Sequence, residues 1–145
     1  IAFSIVPNFR GAPVQGYIAK DSNGTYQMSL TTRGAAADIF WFTLFHEVGH
    51  IVNGDLARTS KYIDASNSEN IARERNADAF ARDALLNPDA YSAFVKNSDF
   101  SIINIIRFAK EQDVIPCIVI GRLQKEKHIP YNYFSAYKTY YKLNS

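Results

Sequence analysis

The chain contains one cysteine, Cys117, so no intrachain disulfide can staple it. It has no run of about 18 apolar residues, which excludes a hydrophobic helix long enough to cross a membrane. Charge of one sign is also missing. The formal net charge is +2, too small to draw the chain onto nucleic acid or an anionic membrane surface. Residues 107–145 carry seven Lys/Arg against three Asp/Glu, which reads as a solvated basic face. There is no internal repeat and no low-complexity tract. Histidine is scarce, with three in 145 residues. The lone thiol sits in the apolar run IPCIVI and reads as a small core residue. One unpaired cysteine suits a reducing compartment, so the expected location is the cytoplasm. The chain opens on Ile1 and not on Met, so a further segment is expected upstream.

What is present is enough for one domain over residues 1–145. Hydrophobic residues make up 47% and charged residues 21%, the balance of a globular protein. At this length folding buries roughly 68–70% of the unfolded surface. Residues 1–34 read as β. IAFSIV is a short apolar run closed by Pro7, and VQGYIAK and TYQMSL flank DSNG, whose Asn23-Gly24 pair is a hairpin signal. A small antiparallel sheet of about three strands is expected. From about Ala35 the period turns helical. A first helix should run from Ala35 to Val52 and stop at Gly54, followed by a loop from Asp55 to Ala65. Ser66-Asn67-Ser68-Glu69 has capping-box spacing and should open a second helix reaching Leu86. Asn87-Pro88 starts a short third helix, and residues 102–111 and 116–127 read as two more. Pro130 precedes a last, tyrosine-rich helix with Tyr133, Tyr137 and Tyr140 on one stripe. The fold class is α+β: sheet in 1–34, site helices in 35–86, further helices in 87–145.

Two of the three histidines fall in one greasy segment, WFTLFHEVGH. His46 and His50 are four positions apart, so on a helix both imidazoles leave the same face, about 40° apart around the axis. Buried polar groups without partners are costly. A divalent metal resolves the conflict by taking both imidazoles and leaving Glu47 beside the open position, which is the physics of the HExxH pattern. A zinc site needs a third protein ligand and an open fourth position. The metzincin extension is excluded, because Asn53 and Leu56 stand where it needs Gly and His. His128, in the polar stretch EKHIPY, reads as a surface residue.

The second helix supplies the ligand. In ENIARERNADAFARDALL, Ile71, Glu74, Asp78, Ala81 and Leu85 form one stripe, apolar except for the two carboxylates. Ala77, Ala81 and Ala84 would let this helix pack closely on the first. Glu74 is assigned as third ligand, with Glu69 its rival. Asp78, one turn on, should accept the free ring N–H of a ligating histidine.

FTLFHEVGHIVNGD followed by ERNADAFARDALLNP resembles the ImmA/IrrE family of zinc metallopeptidases, over about residues 1–88. The resemblance implies a gluzincin-like fold: an HExxH helix, then a helix bearing a glutamate ligand. Asp78 stands where that family commonly has asparagine. VIPCIVIGRLQKEKHIP also resembles the C-terminal part of relatives fused behind a helix-turn-helix domain, the HigA-like antitoxin architecture. That implies a DNA-binding domain upstream of Ile1.

The expected activity is hydrolysis of a peptide bond, with Zn²⁺ held by His46, His50 and Glu74 and with Glu47 as general base. Tyr131, Tyr133, Arg122 and His128 are the candidates for a second oxyanion donor or for substrate contact, and the sequence does not choose among them. A peptide could add as a strand along the sheet edge near Tyr26–Leu30. The expected partner is a protein or peptide substrate, in particular a repressor or toxin–antitoxin component. The alternative is a non-proteolytic metal-binding or antitoxin module fused to a DNA-binding domain. Direct nucleic-acid binding by this domain is not expected, for it has near-neutral charge and no recognition-helix signature. Membrane association is not expected either.

Overall fold

The computed structural model describes residues 1–6, 16–31, 36–55 and 68–141. Among these residues three strands are followed by five helices: β1 (Ala2–Val6), β2 (Gly16–Lys20), β3 (Tyr26–Thr31), α1 (Ala37–Val52), α2 (Ser68–Leu85), α3 (Pro88–Asn97), α4 (Ile102–Glu111) and α5 (Pro116–Lys125). The architecture is α+β. Most of the expected loop after Asp55 and the first half of the expected capping box lie outside the described residues.

The hairpin forms where Asn23-Gly24 places it. Gly24 takes a positive φ of 82°, and the Asp21 carboxylate accepts the N–H groups of Asn23 and Thr25 at 2.9 Å each. The sheet order is β1-β3-β2, with β2 antiparallel to β3 and β1 parallel to it. The sheet is therefore mixed, not wholly antiparallel as expected. Only the two strands joined by a tight turn had to run antiparallel. The order also corrects the docking edge. Residues 26–30 lie on β3, which is paired on both sides, and among the described residues β2 is the edge strand that α1 packs against.

The main core joins α3, α4 and α5 through Leu86, Tyr91, Ile105, Phe108, Val119 and Leu123. Cys117 is buried among them. α1 packs on α2, on α5 and on strands β2 and β3. Gly49 sets how close α1 and α2 come: a Cβ there would stand 3.1 Å from the Ala77 Cα and 3.1 Å from the Phe80 Cβ.

The N-terminus of α1 lacks a capping side chain, because Ala36 has none to offer. The chain's far end supplies the partner instead. The Thr139 carbonyl accepts the Ala37 N–H at 2.8 Å, Lys138 pairs with Asp38 at 3.1 Å, and the Trp41 indole donates to the Tyr141 hydroxyl at 2.9 Å. This tail is not the expected helix. After Pro130 it turns, passes through a single 3-10 turn at Ser135–Tyr137, and leaves Tyr133, Tyr137 and Tyr140 exposed. Aromatic residues are weak helix formers, and the ties to α1 require extended backbone. α5 likewise stops at Lys125, short of the expected residue 127.

Candidate active site

α1 presents His46, Glu47 and His50, and α2 presents Glu74 and Asp78, where the two helices pack against each other. His46 Nε2 lies 3.1 Å from one Glu74 oxygen, and His50 Nε2 lies 3.3 Å from the other. The two Nε2 atoms are 3.1 Å apart, with the rings nearly perpendicular at 83°.

The outer nitrogen of each ring is also held. His46 Nδ1 faces Asp78 at 2.8 Å, and His50 Nδ1 faces Asp55 at 2.7 Å. An ionised carboxylate only accepts, so each Nδ1 must donate. In the neutral ring that leaves a lone pair on Nε2. Two such lone pairs and the Glu74 carboxylate then face one another as acceptors, an arrangement that a shared proton or a metal cation would join. Ligand atoms 2.0–2.1 Å from a tetrahedral ion stand about 3.3 Å from one another. The two Nε2 atoms, 3.1 Å apart, fit that spacing, each lies 3.1–3.3 Å from a different oxygen of Glu74, and one ligand atom from each of the three residues falls within 4.8 Å of the others, so His46, His50 and Glu74 could hold a metal ion.

Without a metal the same geometry traps protons. Burial acts to lower both histidine pKa values. Hydrogen bonds to Glu74 and to the outer aspartates outweigh it, raising His46 above its ordinary value and His50 to about 9. Glu47 is 8% exposed. Burial raises its pKa, and the neighbouring histidines offset this only in part. A carboxylate made more basic in this way is a better proton acceptor than an ordinary one.

A cavity of about 500 Å³ opens over these residues, lined also by Gly16, Tyr17 and Ile18. Side chains alternate along a strand, so three consecutive lining residues mean that the backbone edge of β2 borders the cavity. Gly16 permits the approach: a Cβ there would stand 2.8 Å from Glu47 Oε1 and 2.7 Å from Thr43 Cγ2.

The four candidates for a second donor lie elsewhere. Tyr131 is 73% exposed and Tyr133 also faces solvent. His128 packs against Phe100, and Arg122 binds Glu126 at 2.9 Å while lying over the Tyr91 ring. None of the four lines the histidine cavity. The ligand rival Glu69 pairs with Arg73 at 3.0 Å, one turn from Glu74. Ile71 of the expected apolar stripe is exposed, and Ala77 and Ala81 are the buried residues of α2, so Glu74 and Asp78 stand at the margin of the helix contact. Asp55 was not anticipated. It follows the Gly54 turn, and the only available signal was an acidic residue just past a helix stop, close behind His50.

A model of the peptidase U49 family matches residues 16–107, more than half of the chain, from β2 through most of α4. The chain belongs to that family. No curated protein and no solved structure matches it.

Proposed function

We propose that this member of the peptidase U49 family is a zinc-dependent endopeptidase that cuts a regulatory protein, such as a repressor or a toxin–antitoxin component. The observation that carries the metallopeptidase reading is the convergence of His46 Nε2, His50 Nε2 and a Glu74 oxygen within 4.8 Å of one another, each imidazole tied at its outer nitrogen to a carboxylate. In this reading His46, His50 and Glu74 are the ligands. Bound there, zinc supplies a Lewis acid that activates water and polarises the scissile carbonyl. Asp78 and Asp55 hold the two rings in the ligating tautomer. Glu47 takes a proton from the attacking water on its carboxylate and returns it to the departing amine nitrogen. The β2 edge holds the peptide as an added strand beside Glu47. A regulatory substrate is supported by the resemblance to regulator-associated ImmA/IrrE proteins.

Two variants test the assignment. Wild-type protein purified without chelator should contain one zinc per chain by elemental analysis, and His46→Ala should lose it. Glu47→Gln should keep the zinc and lose hydrolysis by at least about 10²-fold. Equal metal in wild type and His46→Ala would refute the metal site. A zinc-loaded wild type that cleaves neither casein nor a neighbouring-gene repressor or toxin would favour a non-proteolytic module.

A further inference from the structure

A second cavity, of about 510 Å³, lies beside the first, between α1, α2 and α5. Phe42 and Thr43 line both, so the two adjoin across one turn of α1. Its size falls in the range of ligand pockets. Ile39, Leu85, Leu86 and Ile118 give it apolar walls. Arg82 and Lys125 stand at its charged side, and both are exposed.

The charges at this cavity do not balance. Asp38 is taken up by Lys138 at 3.1 Å. Glu126 receives Arg122 at 2.9 Å and the Tyr91 hydroxyl at 3.0 Å. Lys125 rests over the Phe42 ring at 4.7 Å, and neither it nor Arg82 makes an ion pair among the described residues. Arg82 follows Asp78, which lines the first cavity, by one helical turn. The surplus of positive charge therefore continues the line of the reaction centre, at the mouth of an apolar recess that concentrates its field.

We propose that this cavity is a substrate subsite that selects peptides in which a large apolar side chain is accompanied by acidic residues. The proposal rests on the peptidase reading above. The apolar side chain fills the recess between Phe42 and Leu85, and the carboxylates meet Arg82 and Lys125. Arg122 is fixed by Glu126 and Tyr91 and forms part of the wall.

Binding can be measured without catalysis, using zinc-loaded Glu47→Gln protein and fluorescence anisotropy. Three labelled dodecapeptides would differ only at their centre: leucine with two glutamates, leucine with two lysines, and alanine with two glutamates. The first should bind about tenfold more tightly than either of the others, and its affinity should fall with added salt. Adding Arg82→Glu and Lys125→Glu, both at exposed positions, should reverse the order of the glutamate and lysine peptides. Equal binding of the three peptides, or an unchanged order in the charge-reversed protein, overturns the subsite. The peptidase reading is judged separately, by whether wild-type protein cleaves the tightest-binding peptide.

Discussion

The two histidines are not equivalent, because their outer carboxylates differ in exposure. The Asp55–His50 pair is nearly dry, with side chains 10% and 4% exposed, whereas Asp78 is 38% exposed. Water can replace Asp78 on His46 more readily than Asp55 on His50. Removing such a partner costs about 10–100-fold in metal affinity. Asp55→Asn should fall at the upper end of that range and Asp78→Asn at the lower end, measured by competition against a zinc chelator. Equal losses would show that exposure does not grade the two pairs. Acidity follows from the same contacts. A folded-state pKa of about 9 for His50 means that at pH 7 the metal-free protein holds a proton there, which zinc would have to displace under the metallopeptidase reading. Affinity should drop by about tenfold per unit as pH falls below 9, and calorimetry in buffers of different ionisation enthalpy should detect released protons. In the metal-free protein the sign runs the other way. The raised pKa stabilises the fold fully below the unfolded value of 6.5, and that stability is lost as pH rises through about 9. At this scale the sequence was most legible where spacing encodes geometry. His46 and His50, and likewise Glu74 and Asp78, are four positions apart, and helical periodicity put each pair on one face. Asp55 lies beyond a turn, where no period applies.

Two glycines set the distances between elements. Gly49→Ala would place a methyl group 3.1 Å from the Ala77 Cα and the Phe80 Cβ, so the α1–α2 contact would have to give by a few tenths of an ångström against α2 backbone. Stability should fall by about 1–3 kcal/mol, the usual cost of overpacking, read from denaturant unfolding. Gly16→Ala acts between β2 and Glu47, where the new Cβ would stand 2.8 Å from Oε1. It should reduce hydrolysis while leaving zinc content at the wild-type level, and a loss of metal instead would place the effect on the ligands. Elements built by local chemistry were readable: the Asn23-Gly24 hairpin, the Asn87-Pro88 start of α3, and α4 over residues 102–111. The parallel pairing of β1 with β3 was not, because a parallel partner is chosen by tertiary packing rather than by a turn. Nor was the fate of the tyrosine-rich tail, where helical spacing lost to contacts made elsewhere.

For the whole molecule the decisive contacts join positions one hundred residues apart: Lys138 to Asp38, and Trp41 to Tyr141. Such pairs leave no periodic trace, so this closure was hidden in the sequence. Removing Lys138 would leave Asp38 largely buried and without its counter-charge, and one Asp38 oxygen already lacks a hydrogen-bond partner among the described residues. Lys138→Ala should therefore cost roughly 3 kcal/mol, the scale of breaking a buried pair from one side. Tyr141→Phe should cost about 1 kcal/mol, since it removes one neutral hydrogen bond. Thermal unfolding checks both, and zinc content should survive in each variant.

The tie between the tail and α1 also has a temporal side. Ribosomes deliver a chain from its N-terminus, so His46 through Asp78 emerge well before Thr139, whose carbonyl takes up the first free N–H of α1. Until then the helix bearing the HExxH residues has an open first turn, and Asp38 awaits its counter-charge. The nascent protein thus carries its complete chemical set before it carries the fastening that steadies it. Translation through residues 138–141 supplies that fastening.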